Sequence, residues 1–404
     1  MKHYIWIFMA FLCLSFNSCK DSIDPFYSNN EQDRDDDEIT GDDYVYHLPI
    51  IFHVLYKDQN AVDQNGKKSQ YVSYRRLQEI LNNVNDLYAG KLYNFGKEKD
   101  NLSENLHIQF EMALYDESGK KLSTPGVEYI KYKDDYPIDY NNFMTQKKGT
   151  KKIIWDPNEY INVMVYNFKQ NDASSGTVLG ISNMPYKVNG YPQIEGLEEA
   201  KNANINKNSL SFEYCLSINS LYINNESTRY TDGKHGQEGY TYNSADVNVT
   251  LAHELGHFLG LCHVFAEKKT DEGTEPADNC DDTDYCSDTK SYNKPAYDKW
   301  LKNYVEQHDK DKSLDIKELI KRTNDKGEEW DSDNFMDYSI SLSYRFTPEQ
   351  KNRIRQVLYY SPLIPGPKKN RNTSTKTRSS NDAKHIDLPI QLAIERGTPI
   401  VKLK

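Results

Sequence analysis

The sequence predicts an α/β (α+β) chain, on three observations: apolar runs of strand length recur through its N-terminal half, a segment of helical period sits among them, and an apolar helix carrying two histidines and a glutamate follows, with a third histidine just beyond it. Tyr46–Tyr56 (YHLPIIFHVLY) opens as a strand. Ser73–Gly90 has helical spacing through Leu77, Ile80, Leu81, Val84 and Leu87, and Leu106–Tyr115 alternates like a strand. Two more strands are expected at Tyr160–Phe168 and Thr177–Met184, and Phe212–Ile223 leads towards the histidine helix. His53 and His107 lie in predicted strands and read as structural residues.

The stretch Val249–Phe265 reads VTLAHELGHFLGLCHVF, which contains H-E-x-x-H-x-x-G-x-x-H. On a helix His253 and His257 face the same way, while Glu254 sits about 100° round the axis, beside a shared metal ion and not on it. Leu251, Leu255, Phe258 and Leu259 would bury the opposite side. Gly260 lets the helix stop and the chain turn, so that His263 returns as a third ligand. Three neutral nitrogens and one open position describe a catalytic Zn2+ site, whereas structural zinc sites are usually closed by four protein ligands. Glu254 is then the general base and acid.

This run resembles the metzincin clan of zinc endopeptidases, and with Asn334-Phe335-Met336-Asp337-Tyr338 downstream it looks most like the pappalysin branch. The resemblance covers Tyr44 to about Pro362, with insertions at Lys187–Asn208 and Ser291–Asp331. It implies a twisted, mainly parallel five-stranded sheet with two helices in an upper subdomain, over an irregular lower subdomain with a C-terminal helix. It also implies a methionine turn at Met336 beneath the metal and a transition-state donor in Tyr338. Val178-Leu179-Gly180 resembles the cleft-edge strand, so substrate is expected to lie along Thr177–Ser182. Ser339–Ser343 would wall the pocket just after the scissile bond, and without a carboxylate there the pocket should disfavour basic side chains.

Other segments are organised around that domain. Met1-Lys2-His3 and the apolar Tyr4–Phe16 form a signal peptide, too short to span a membrane, and Asn17-Ser18-Cys19 resembles a bacterial lipoprotein site. The expected division is 1–18 signal, 19–43 acidic tether, 44–362 catalytic domain and 363–404 a tail of unknown role, with a weak strand pattern near Ile386–Ile394. Glu31–Asp43 holds eight carboxylates and one arginine, supplying −7 of the net −11, so the overall charge says little about substrate. No basic face suggests nucleic acid, and no transmembrane helix is expected in the mature protein. The expected partners are a protein or peptide substrate and a lipid anchor at Cys19, in an exported lipoprotein of the outer membrane or cell surface.

Exported cysteines favour bridges, Cys280 with Cys286 and Cys215 with Cys262, although pairing of Cys262 with Cys280 or Cys286 stays open. The acidic Asp271–Asp288 loop is a candidate Ca2+ site, and Asp288-Thr289 resembles calcium loops of pappalysins. His308–Leu319 lacks the glycine and final glutamate of an EF-hand and reads as a charged insertion helix. Thr347-Pro348-Glu349 opens a helix through Tyr359.

The function expected is zinc endopeptidase. A surface binding lipoprotein without turnover and a zinc amidase acting on cell-wall peptides are the alternatives. Palmitate labelling is expected in wild-type protein and absent in Cys19→Ala; equal labelling of both, or of neither, would remove the anchor.

Overall fold

Tyr46–Tyr56 forms β1, the strand on which the main sheet is built. Its residues from Leu48 to Leu55 are almost all buried, as expected of a strand covered on both faces. The computed structural model describes residues 41, 43–91, 103–146, 152–170, 176–188, 194–201, 205–228, 241–270, 273–308, 314–368, 388–397 and 402–403. All of them belong to one unit, Asp36–Lys404. The other unit, Met1–Asp35, lies outside the described residues, and the signal segment and Cys19 with it.

After β1 come α1 (Tyr74–Tyr88), β2 (Ile108–Met112), β3 (Val127–Lys131), α2 (Tyr140–Thr145), β4 (Ile161–Tyr166), β5 (Thr177–Asn183) and β6 (Leu216–Asn219). Then follow α3 (Val247–Phe258), α4 (Lys294–His308), α5 (Pro348–Tyr360) and β7 (Leu392–Gly397). The sheet order is β7-β5-β6-β4-β1-β2, and β3 continues along the same edge of β1 where β2 ends. β1, β2, β3, β4 and β6 run parallel; β5 is antiparallel to β6, and β7 is antiparallel to β5. The mixed, mainly parallel sheet matches the expected fold class. One of its seven strands, β3, was not expected, and the tail strand β7 begins at Leu392, later than the weak strand pattern near Ile386–Ile394.

Each helix starts from a side-chain cap. Ser73 caps α1, Asp246 caps α3, and Thr347 with Gln350 makes a capping box at α5 behind Pro348. α1 buries Leu77, Ile80, Leu81, Val84 and Leu87, the residues its spacing nominated. Asn85 fastens it to β2 by exchanging two hydrogen bonds with Phe110, at 2.8 and 2.9 Å. The Tyr88 hydroxyl donates to the Ala252 carbonyl at 3.0 Å, which joins α1 to α3. His53 is structural as expected, held by Glu128 and Asn162. His107 precedes β2 in the loop, at a φ of 53°.

The lower half is less regular and differs more from expectation. The insertion helix is α4, ending at His308 where the charged segment was read to begin; a short helix, Ile316–Leu319, and a hairpin of Lys321–Thr323 with Glu329–Asp331 follow. These pieces enclose a second apolar cluster that includes Phe265, Tyr292, Leu301, Tyr338 and Ile340. Arg322 is buried inside it. Its guanidinium pairs with Asp337 at 3.1 Å, donates to the Ile340 carbonyl at 2.7 Å and lies 3.8 Å from the centre of the Tyr297 ring. Burial opposes the charge, but Asp337 and the two tyrosines Tyr292 and Tyr297 outweigh it, and Arg322 stays cationic.

None of the four described cysteines is in a disulfide, which corrects both expected bridges. Cys215 directly precedes β6 with its sulfur against Met144 of α2, whereas Cys262 is half-buried beside Arg353 of α5. The acidic loop also finds protein donors. Asp284 accepts from the Cys286 amide and the Thr289 hydroxyl, and Asp288 accepts from the Thr347 hydroxyl and the Glu349 amide at the start of α5. These contacts make the loop a brace for α5 and give Ca2+ no support.

Arg322→Met is expected to destabilise the protein by about 3–5 kcal/mol, because it leaves the Asp337 carboxylate buried without its ion-pair partner. Urea unfolding measures this. A loss below about 1 kcal/mol would mean that Asp337 is held by its other donors alone.

Candidate metal centre and cleft

Every residue of α3 is buried, because α1 covers one side, the sheet another and the lower half a third. The helix stops at Gly260, whose φ of +94° suits glycine and whose amide bonds the His257 carbonyl at 2.8 Å. A side chain at Gly260 would begin 2.6 Å from Val357 of α5. Arg353 of α5 donates to the Gly260 carbonyl at 2.6 Å and fixes the turn from outside. The chain then reverses and brings His263 back against the helix.

His253, His257 and His263 converge as their spacing predicts. The Nε2 atom of His257 is 2.9 Å from that of His253 and 3.0 Å from that of His263. Each Nδ1 is engaged elsewhere: His253 with the Phe335 carbonyl at 2.7 Å, His257 with the Leu261 carbonyl at 2.8 Å, His263 with the Glu267 carboxylate at 2.8 Å. Carbonyls only accept, so the protons of His253 and His257 sit on Nδ1 and their Nε2 lone pairs face each other. Burial, aided by the neighbouring His263, holds the His253 pKa down to about 3 and that of His257 well below its ordinary value. Both rings are therefore neutral at pH 7. Lone pairs packed this closely repel unless a cation lies between them, so the donor set fits a single zinc ion.

Below the triad, Met336 packs against Gly256, where an added Cβ would meet its sulfur at 2.6 Å. The methionine turn thus touches the helix directly. Asn334 orients it through the Met336 amide, and the Met336 carbonyl accepts from Val264 next to His263. Tyr338 puts its ring 4.6 Å from that of His263 and 6.0 Å from that of His253. Its neighbour Asp337 faces away, into the Arg322 pair.

Glu254 is fully buried beside Gly180 of β5, where an added Cβ would come within 2.4 Å of Oε1. Neither carboxylate oxygen has a hydrogen bond of ordinary geometry. Burial raises its pKa well above the usual carboxylate range, and the nearby Glu395 raises it further. The Glu395 backbone N–H is near enough to favour the charged form in part. The Thr177–Ser182 edge does line the cleft as expected, but the chain's own β7 is paired to it.

Two residues of the site were not nominated from sequence. Glu267 orients His263 and is itself held by Thr274, and its signal was a carboxylate four residues after the third histidine. Glu395, buried in the cleft, gave no local signal at all.

Three converging histidines with a buried glutamate beside them, closed below by a methionine turn, have the build of a metzincin-type metallopeptidase domain. Residues 229–359 match the peptidase M43 family model described as pregnancy-associated plasma protein-A. Extracellular metalloproteases of Arthroderma benhamiae and Trichophyton verrucosum are each 28% identical over 155 residues, 38% of this chain and 42% of theirs. The match thus spans less than half the length of these relatives. Mature mirolysin of Tannerella forsythia in complex with a cleaved peptide is 19% identical, with a TM-score of 0.45 over 77% of this chain and 90% of that one. Mirolysin in complex with compound 9 is 18% identical, with a TM-score of 0.44 over 77% and 91%.

Glu267→Ala is expected to weaken zinc binding by about 10- to 100-fold, because it removes the acceptor that orients His263. Competition with a chromogenic chelator reads this without any turnover. Unchanged affinity would show that packing against Phe265 and Tyr338 suffices to hold the ring.

Proposed function

We propose that the chain is a zinc endopeptidase, exported and tethered outside the cell by a lipid on Cys19. The observation that supports this most directly is the buried, converging triad of His253, His257 and His263 with Glu254 one helical position after His253. Zinc, when bound, would polarise the scissile carbonyl and make a water nucleophilic near neutral pH.

The chain's own residues supply the remainder. Glu254 takes the proton of the attacking water and delivers it to the leaving amine. Its buried setting suits this shuttle, since a raised pKa brings the carboxylate nearer the working pH. Tyr338 donates its hydroxyl proton to the carbonyl oxygen as negative charge grows there. β5 aligns an extended peptide by main-chain pairing, and Gly180 leaves room for the peptide to approach Glu254. Glu254 and the full triad together support turnover over a binding-only role.

Ser339–Ser343 lies against Tyr242–Ser244, through Ser339 to the Ser244 carbonyl and Tyr242 to the Ser341 carbonyl. Arg345, just beyond this segment, is paired with Asp333 at 2.9 Å. We keep the reading that the residue after the scissile bond is non-basic.

Glu254→Ala is expected to retain one zinc and lose hydrolysis by about 10²-fold or more, the scale of general acid–base catalysis. Metal analysis and peptide turnover on one preparation decide it. Lost zinc would refute Glu254 as a non-ligand, and near-normal turnover would refute the mechanism.

A further inference from the structure

The cleft edge that should receive substrate carries the C-terminal tail. β7 pairs antiparallel with β5, Leu392 opposite Asn183 and Ile394 opposite Ile181, as far as an irregularity between Glu395 and Arg396. Further on, Lys402–Leu403 pairs with Tyr242–Asn243, next to the start of α3. The tail is thus paired at two places, along β5 and just before α3.

Its register places one peptide bond against both catalytic groups. The Tyr338 hydroxyl donates to the carbonyl of Ile394, the oxygen on which charge would develop. The next backbone N–H, that of Glu395, faces Glu254, the group that protonates a leaving amine. Leu392 and Ala393 are buried on one side of this bond, and the Glu395 side chain is buried on the other, near Thr250 and Asp246 of the α3 N-terminus. Only a substrate-like path presents carbonyl and amide to those two partners at once.

We propose that the tail is an autoinhibitory substrate of the protein's own site, and that the enzyme unlocks itself by hydrolysing the Ile394–Glu395 bond. This rests on the endopeptidase reading above. Water adds its hydroxyl to the Ile394 carbonyl carbon, the carbon–nitrogen bond breaks, and the water's proton passes by Glu254 to the Glu395 nitrogen. The products are a new carboxylate at Ile394 and the peptide Glu395–Lys404 with a free amine. That fragment then leaves, which opens the edge of β5. The same register deepens the specificity: an aliphatic residue before the cut and an acidic one after it.

The test uses the full chain. Zinc-loaded wild type is followed by intact mass, and the expected loss is the peptide Glu395–Lys404, with none lost from Glu254→Ala. Hydrogen exchange of Thr177–Asn183 in Glu254→Ala, where no cut is made, reads tail docking separately. The expected result is slow exchange that quickens at least tenfold when Ala393→Asp is added. A preparation that hydrolyses library peptides but leaves its tail whole, or cuts it at another bond, overturns the self-cleavage. Fast exchange along β5 in Glu254→Ala overturns the docking. A zinc-bound protein that cuts neither peptides nor tail overturns the endopeptidase reading and the self-cleavage together, while slow exchange in it would leave the tail as a plug only.

Discussion

Three imidazoles that converge in a buried space are the constraint on which this molecule turns. Packed this closely they keep their aim because each ring is held from behind. The holders come from three places: the Phe335 carbonyl in the methionine turn, the Leu261 carbonyl after the Gly260 turn, and Glu267 on a small ribbon. Moving any of these segments re-aims a ligand. The helix supplies direction for two rings, but the lower half supplies their orientation.

That dependence explains why the lower half is so heavily braced for a region of little regular structure. Asp337 follows Met336 directly and accepts from Arg322, Tyr292 and Ser332, so the residue next to the methionine turn is fixed at several points. A buried ion pair is a poor source of net stability, because desolvating both charges offsets most of their attraction. Its effect here is positional. Arg322 reaches the Ile340 carbonyl and Asp337 together, and so sets the distance between the methionine turn and the segment after it.

The parts of this architecture that were legible in sequence are those with local causes. His253, Glu254 and His257 are set by helical spacing, Gly260 by its backbone freedom, and α5 by Thr347, Pro348 and Gln350 in adjacent positions. β1 was legible to the residue, because a strand buried on both faces is continuously apolar. β3 was not, since its pattern leaves Glu128, Tyr129 and Ile130 half-buried and looks like ordinary loop. Arg322 reads as one more charge in a charged insertion, and only the fold reveals Asp337 opposite. The disulfides failed for a related reason: export chemistry favours bridges, but nothing in a sequence tells which thiols meet, and Cys215 and Cys262 are packed against other partners.

The tail was the least legible segment, and the reason follows from the edge it covers. β5 is the outermost strand of the sheet before β7 joins, with backbone donors and acceptors in need of a partner. Such an edge accepts any extended chain of suitable shape, so the strand that fills it needs little hydrophobic pattern of its own. An enzyme acting on peptides must keep this edge available, whereas a folded protein is safer with it paired. Pairing it with a removable piece of the same chain satisfies both demands. While the tail is docked, the Glu254 carboxylate lies buried against Gly180; on the proposal above, its release would expose the pairing edge and that carboxylate to an incoming peptide in the same event.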